Sequence, residues 1–491
     1  MGTPVGGRPQ RDRGAHGVTG ALAPDELHAP EEAAPRDVPF PRPAKRYVVI
    51  LLAITAAAFL LRLAFYWFAR RGSCGAEVLV DGCPGDAWVY HNSANLLAEG
   101  KGFISPADWY VNDVRFPSAD HPPLFFGILA AFSFVGLDSW TAHHLVVVLM
   151  GTVTVFVTGI ATREVFGERA GLIAAVLIAL NPNVWINDGN VLSETPAILC
   201  AVLVMWAGYR LWYRATYAPA ILLGVAIGAS MLVRPEMGIL VLFVGAPMTL
   251  LRRDAAWRDR ILRFVVVGVT AFLVVLPWVG YNLTRFNHPV TLSTGFGITL
   301  SNTNCDITYY GDRLGYWSPD CIPVIERTKG WDQSDDEQFL RETAMDYIRS
   351  HQRRYPVVVA ARLGRMWNVY KPLQQVDLDY YEGRPVWANR LALVVFYPLV
   401  GLAIYGAVLV RRRRIPLMPV LAPVLVVTMS AVITFGHARY RAPAEPALCI
   451  LAAIAIAHLT TRAASGSDAG RRSGDASSDH ASPSDIGGTR V

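Results

Sequence analysis

Acidic and imidazole side chains follow the first long apolar run of this chain at spacings that could support chemistry. Asp86 precedes Tyr90 and His91 in one short stretch, and Asp120 and His121 stand directly before a Pro-Pro pair. A carboxylate can accept a proton from a hydroxyl group, and an imidazole beside it can donate or accept a hydrogen bond. An Asp at such a place is also a common helix N-cap. The residues therefore predict either a site built around Asp86 or an ordinary solvated loop.

A second group of charged residues stands where later apolar runs begin or end. These residues are Glu194, Arg234, Glu236, Arg439 and Arg441. Arginine suits phosphate because its planar guanidinium can donate two parallel hydrogen bonds, and ionisable residues near a membrane span are costly. Two simpler explanations stay open. The arginines could be snorkelling anchors, and Glu194 could cap the helix that follows it.

The composition indicates what must position these residues. Of the 491 residues, 53% are hydrophobic and only 17% are charged, and the mean hydropathy is +0.31. Runs of roughly 18 or more apolar residues can cross a bilayer core of about 30 Å as helices. The sequence therefore predicts an all-α polytopic membrane protein with about ten spans. The predicted spans are residues 47–68, 142–162, 169–187, 195–213, 217–233, 237–251, 262–281, 388–410, 416–435 and 443–461.

Basic residues set the predicted orientation. With a cytoplasmic N-terminus, the short inside loops hold Arg163 and Arg169, Arg210 and Arg214, the basic cluster of residues 252–263, and the run of residues 411–414. The net charge of +6 is thus explained by topology, which argues against nucleic-acid binding. Arg70 and Arg71 do not fit this inside-basic pattern, because they lie just outside the first span on the predicted outer side. We expect a multi-pass protein of the plasma (inner) membrane with both termini in the cytoplasm.

This topology divides the chain into parts with different tasks. Two long segments, residues 69–141 and 282–387, are predicted to be extracytoplasmic and to carry the function. Within the first, residues 124–135 are apolar but too short to span, which predicts a re-entrant or interfacial helix. The predicted parts are a disordered tail (1–46), a transmembrane module with the first outer loop (47–281), an outer domain (282–387), the last spans (388–461) and a second disordered tail (462–491).

The cysteines fit the same orientation. Cys74 and Cys83 lie in the first outer segment, Cys305 and Cys321 lie in the second, and the two remaining cysteines fall inside predicted spans. Thiols in an oxidising compartment tend to pair. We therefore expect two disulfides, with four free thiols as the alternative.

The order of the motifs resembles the GT-C superfamily, in particular the protein O-mannosyltransferase and aminoarabinose-transferase-like family. The resemblance covers roughly residues 47–461. Its motifs are Gly85-Asp86-Ala87-Trp88-Val89-Tyr90-His91, Asp120-His121-Pro122-Pro123, Asn181-Pro182, Leu192-Ser193-Glu194-Thr195, Arg234-Pro235-Glu236, Pro277-Trp278 and His437-Ala438-Arg439-Tyr440-Arg441.

The resemblance implies roles for these residues. Asp86 would be the catalytic base and His121 would support it, whereas a second acid that often follows the first is here Ala87. Residues implied to bind substrate are Tyr90, His91, Asp120, His121, Glu194, Arg234, Glu236, Arg439 and Arg441. No zinc-ligand spacing appears in the sequence. No cofactor is implied with certainty, and the sequence leaves open whether a divalent cation assists.

The implied activity is transfer of a sugar, with inversion, from a polyprenyl-phosphate donor to a cell-envelope acceptor such as a glycan, lipid or protein. The phosphate is already a good leaving group, so a single carboxylate could suffice as base. Arginines would stabilise the departing phosphate. The alternative is a transporter or flippase of lipid-linked sugars, which needs the same lipid site but no base. Internal inverted repeats would favour the flippase, and none is evident.

Overall fold

The computed structural model describes residues 43–72 and 85–478, with side chains up to residue 462. Its regular structure is helical, apart from one isolated β-bridge between Ile104 and Pro117. The prediction of an all-α protein is therefore confirmed.

The helices follow one another with short breaks. The first part of the chain holds α1 (Lys45–Phe65), α2 (Gly85–Ala98), α3 (Pro106–Asn112), α4 (Leu124–Phe134), α5 (Trp140–Phe166), α6 (Glu168–Leu180), α7 (Pro182–Asp188), α8 (Glu194–Arg214), α9 (Tyr217–Met231), α10 (Ala246–Leu250) and α11 (Trp257–Leu283). The second part holds α12 (Gly295–Ser301), α13 (Asp306–Tyr309), α14 (Gln333–Ser350), α15 (Tyr355–Met366), α16 (Pro372–Leu378), α17 (Val386–Arg412), α18 (Met418–Ile433) and α19 (Glu445–Ser478).

The predicted spans all fall on helices, but the helices differ in length. Among the described residues, six helices are long and apolar enough to cross a membrane by themselves, namely α1 with the π-helical turn Tyr66–Arg70, α5, α8, α11, α17 and α19 with the turn before it. The pair α6 and α7 would make a seventh span, bent by 58° where Pro182 starts α7. The other three predicted spans correspond to α9, α18 and the broken stretch Pro235–Leu250, which are shorter. The chain is a multi-pass membrane protein.

Close helix contacts hold this bundle together. Gly406 of α17 faces the backbone of α19 so closely that a Cβ atom at that position would overlap the carbonyl oxygen of Leu451. Small residues allow such approach in membranes, where tight packing rather than the hydrophobic effect drives helix association. A buried ion pair also joins α1 to α7, because Nε of Arg62 lies 2.6 Å from Oδ2 of Asp188.

The two long segments pack against each other. Oε1 of Gln333 accepts a hydrogen bond from the backbone N–H of Ala119 at 2.6 Å, and Oγ of Ser293 donates to the backbone oxygen of Asp120 at 2.6 Å. Helix α4 is the short apolar helix expected after the Pro-Pro pair. The second segment therefore rests directly on the first.

The cysteine predictions divide into two cases. Cys305 and Cys321 are joined by a disulfide in the second long segment. Cys74 and Cys83 lie outside the described residues. Cys200 and Cys449 are buried free thiols.

The last helix runs into the predicted second tail. Helix α19 continues to Ser478, whereas that tail was predicted to begin at residue 462. Residues 1–42 and 479–491 of the two predicted tails lie outside the described residues.

Candidate active site

Arg439 stands at the centre of a group of three carboxylates. Its Nη2 donates to Oδ2 of Asp86 at 2.8 Å, its Nε donates to Oε1 of Glu194 at 2.8 Å, and its Nη1 donates to Oε2 of Glu382. Arg234 joins the group through Nη2, which lies 2.6 Å from Oε1 of Glu194. We call these five residues the arginine–carboxylate cluster. It brings together four residues that the sequence predicts and one, Glu382, that it does not.

Helix ends position the first three members of this cluster. Asp86 lies in the first turn of α2, and Glu194 is the first residue of α8. Arg439 begins a 3-10 turn, Arg439–Ala444, that leads into α19. Because these helices all begin at the same end of the bundle, their first side chains can converge there.

The other two members come from non-helical connections. Arg234 has extended backbone between the end of α9 and Pro235, which starts a 3-10 turn. Glu382 ends the turn Asp379–Glu382, and Gly383 follows with a φ of 72°. Glycine adopts this left-handed conformation without the steric cost of a Cβ atom. The turn at Gly383 directs the chain from Glu382 into α17.

The cluster is buried except at one corner. The Asp86 side chain is 42% exposed, whereas the side chains of Arg439, Glu194 and Glu382 are 4%, 0% and 7% exposed. Asp86 is thus the carboxylate that a ligand can reach from outside.

Electrostatics keep Asp86 ionised. Desolvation acts to raise the pKa of Asp86, but the charges of Arg439, His121 and Arg234 outweigh it and leave the pKa below its usual value. A lowered carboxyl pKa contributes stability above the usual Asp pKa, and that stability is lost as the pH falls through the lowered value. Burial raises the pKa of Glu382, and Asp86 adds to this effect while Arg439 opposes it.

A cavity adjoins this cluster on the side of the first long segment. Its wall includes Tyr90, Phe103, Ser118, Asp120, His121 and Phe126. The ring centroids of Tyr90 and His121 lie 4.4 Å apart. Burial raises the pKa of Asp120; nearby His121 opposes this effect and Asp86 reinforces it. The structure therefore places the predicted residues Tyr90, Asp120 and His121 together, next to Asp86.

The structure places His91 apart from the arginine–carboxylate cluster. Its ring is buried, stacks on Trp140 at 4.0 Å between centroids, and has Nδ1 2.9 Å from Nδ1 of His143. Burial lowers the pKa of His91 to about 3. Asp86 and Tyr90 are four residues apart and share one face of α2, whereas the next residue is rotated by about 100° around the helix. His91 therefore packs α2 against α5 instead of facing the site.

Two further predicted residues lie at or beyond the edge of the cluster. Glu236 is partly exposed, with Oε1 3.6 Å from Nη1 of Arg234. Arg441 is fully buried; its Nε donates to Oε1 of Glu445 at 2.8 Å and its Nη1 to the backbone oxygen of Met366 at 2.6 Å. These bonds join the start of α19 to α15. Contact of Arg441 with a lipid phosphate stays a prediction.

Residues near Glu382 form a buried support that sequence reasoning missed. Nε2 of His437 lies 3.1 Å from Oδ1 of Asp379, and Nδ1 of His437 accepts the backbone N–H of Arg439 at 2.8 Å. Nη1 of Arg384 donates to Oδ1 of Asn187 at 3.1 Å. The available signal was the density of acids at residues 377–382 just before a span.

Within residues 43–72 and 85–478, no group of three or more His, Cys, Asp or Glu side chains is arranged to hold a metal ion. The three carboxylates of the cluster instead surround the guanidinium of Arg439.

A family model matches part of the chain. The model described as dolichyl-phosphate-mannose-protein mannosyltransferase matches residues 120–281. The match includes His121, Glu194 and Arg234, and it ends before Glu382 and Arg439. Among curated protein sequences, no significant match to the chain was found.

Solved structures share the fold of this chain. The oligosaccharyltransferase AglB from Archaeoglobus fulgidus, in complex with an inhibitory peptide and a dolichol-phosphate, superposes with a TM-score of 0.52 at 15% identity, covering 85% of this chain and 51% of that one. The apo form of the Archaeoglobus fulgidus oligosaccharyltransferase gives a TM-score of 0.51 at 15% identity, with coverage of 85% and 51%. At 15% identity, these matches show that the chain shares a fold with these proteins.

The chain spans about half the length of these oligosaccharyltransferase structures. ArnT from Cupriavidus metallidurans bound to undecaprenyl phosphate also matches, with 15% identity and coverage of 87% of this chain and 80% of that one. Its TM-score of 0.34 is too low to support an argument. The resemblance to the GT-C superfamily is thus confirmed at the level of fold.

Proposed function

We propose that this protein belongs to the GT-C superfamily and is an inverting glycosyltransferase that moves a sugar from a polyprenyl-phosphate donor to a cell-envelope acceptor on the extracytoplasmic face. The observation that carries the proposal is the half-exposed carboxylate of Asp86 beside the buried guanidinium of Arg439. A hydroxyl acceptor needs a base, and a departing phosphate needs a positive charge. The carboxylate of Asp86 and the guanidinium of Arg439 would supply them, and these two groups are hydrogen-bonded to each other.

The reaction can be written with these residues in place. The acceptor hydroxyl oxygen attacks the anomeric carbon as Asp86 takes the hydroxyl proton. The bond between the anomeric carbon and the phosphate oxygen breaks, and its electron pair leaves with the polyprenyl phosphate. Arg439 stabilises the charge on that oxygen, as preorganised donors do in other transfer reactions. Attack from the face opposite the phosphate inverts the configuration.

The donor class is supported by two observations. The AglB structure that shares this fold contains a dolichol-phosphate, which is a polyprenyl-type lipid phosphate. In this chain the cluster lies at one end of the bundle, where α8 and α19 begin, and an end is where the phosphate of a membrane lipid would lie. The basic residues Arg210 and Arg214 at the other end of α8 support an extracytoplasmic site.

Replacing Asp86 by Asn tests this function. The substitution keeps the size of the side chain but removes the base, so turnover should fall by on the order of a hundredfold or more. The measurement is transfer of radiolabelled sugar from polyprenyl-phosphate donors by the purified protein. Asp113→Asn is the matched control, because Asp113 is exposed in the same segment with a φ of 54°, which Asn also tolerates.

Two outcomes would contradict the proposal. Near-normal sugar transfer by Asp86→Asn would remove the base role. A protein that carries lipid-linked sugar across vesicle membranes without breaking the bond between sugar and phosphate would be a flippase instead.

A further inference from the structure

The three carboxylates that surround Arg439 differ in their burial and in the other residues that they contact. Glu194 is fully buried and also binds Nη2 of Arg234 at 2.6 Å. Glu382 is buried, with Oε1 4.0 Å from Nε2 of His437. The Asp86 side chain is 42% exposed. An anion that arrives at Arg439 can therefore replace Asp86 more easily than either glutamate.

Arg439 itself is fixed. Its Nε and Nη1 are occupied by the two buried glutamates, and its backbone N–H donates to Nδ1 of His437 at 2.8 Å. The side chain is 4% exposed. Because the guanidinium is held on two sides, its Nη2 stays pointed at Asp86 and cannot turn to follow a ligand.

We propose that Asp86 and the phosphate of the lipid-linked donor compete for Nη2 of Arg439, so that donor binding releases the catalytic base. This inference rests on the proposed function. A phosphate oxygen accepts the same charge-assisted hydrogen bond from a guanidinium that a carboxylate accepts. The exposed corner at Asp86 is the place where this exchange can occur with Glu194 and Glu382 unmoved.

The exchange imposes an order on the reaction. In the resting protein Asp86 is paired with Arg439, and a paired carboxylate is a weak base. Once the phosphate occupies Nη2, Asp86 is released toward the cavity lined by Tyr90, Asp120 and His121. The base then becomes effective only when a donor is in place, so the donor binds before the acceptor reacts.

The affinity of the full chain for a polyprenyl phosphate without sugar tests this inference, measured in lipid nanodiscs. Asp86→Asn removes the competing charge, so the dissociation constant should fall, meaning tighter binding, by about tenfold. Asp113→Asn is the control, because it removes an exposed negative charge of the same segment that lies outside the arginine–carboxylate cluster. Its effect should stay within about twofold. Unchanged or weaker binding by Asp86→Asn would overturn the competition.

A second variant, Arg439→Lys, tests separately whether Arg439 is the shared donor. Arg439→Lys retains the positive charge but loses the planar set of donors, so affinity for polyprenyl phosphate should fall about tenfold. In the Arg439→Lys background, the gain in polyprenyl-phosphate affinity from Asp86→Asn should shrink toward zero, since the Asp86 carboxylate and the phosphate no longer share one donor. Equal gains in both backgrounds would contradict the inference.

The outcomes for the two proposals are separable. If Asp86→Asn loses sugar transfer but binds the lipid with unchanged affinity, the glycosyltransferase proposal is supported and the competition for Arg439 is contradicted. If Asp86→Asn binds the lipid more tightly but transfers sugar normally, the competition is supported and the role of Asp86 as base is contradicted.

Discussion

At the scale of single residues, the choice of arginine at position 439 decides what the site can hold. A guanidinium presents donors along three directions in one plane, and here they reach Asp86, Glu194 and Glu382. A lysine ammonium has three donors but no planar fork. Glu382 matters because it fixes one edge of that plane and comes from the second long segment.

Replacing Glu382 by Gln should lower turnover on the order of tenfold while leaving expression near normal. A hydrogen bond to a charged group is worth about 1.5–3 kcal/mol, and its weakening would let Arg439 shift away from the position proposed for the phosphate. Turnover by purified protein checks this. Glu326→Gln is the control, since Glu326 is an exposed acid of the same segment. Unchanged turnover in Glu382→Gln would exclude a positioning role for Glu382.

At the scale of elements, α19 continues from the turn that carries Arg439 and packs against α17. The contact depends on Gly406, whose Cα faces the carbonyl oxygen of Leu451. Backbone atoms cannot rotate away as a side chain can. The position of α19, and with it the site, therefore depends on the absence of a side chain at this glycine.

Gly406→Ala should destabilise the protein, because the added Cβ would overlap the Leu451 oxygen and force the helices apart. Overpacking of this kind costs about 1–3 kcal/mol. Thermal unfolding in detergent should show a transition several degrees lower. Gly401 lies in the same helix with nothing within 4 Å of an added Cβ, so Gly401→Ala should leave the transition unchanged or raise it. Equal transitions for both variants would show that the close contact is absent.

At the scale of the whole molecule, the two long segments and the arginine–carboxylate cluster share one end of the bundle. The hydrogen bonds of Ala119 with Gln333 and of Asp120 with Ser293 join the segments there. The loop before α11 lies at the opposite end of that helix from the second long segment. One side of the membrane would thus hold all the proposed chemistry.

Cysteine labelling in intact cells tests this orientation. A cysteine at Thr343, exposed on α14, should react with a membrane-impermeant maleimide, and a cysteine at Arg258 should not. The unsubstituted protein gives the background labelling of its own cysteines. Permeabilised cells should label both positions, which controls for accessibility. Labelling only at position 258 would reverse the orientation and place the cluster in the cytoplasm.

The sequence by itself determined the class of protein, its helices and several of the site residues. Hydropathy adds up over one continuous segment, so each span can be located without knowing its neighbours. Asp86, Glu194 and Arg234 could be singled out because they stand beside helix ends with motif neighbours. The break of α6 and α7 at Pro182 also has a local cause.

Only the tertiary structure decided which of these residues meet. Asp86 and Arg439 are 353 residues apart in the chain, and Arg439 and Glu194 are 245 apart. Their pairing depends on which helices pack side by side, which no local pattern encodes. The same reason explains why His91 packs against Trp140 and His143, why Arg441 donates to the backbone oxygen of Met366, and why Glu382 went unnoticed. Side-chain direction and partner choice are properties of the packed bundle.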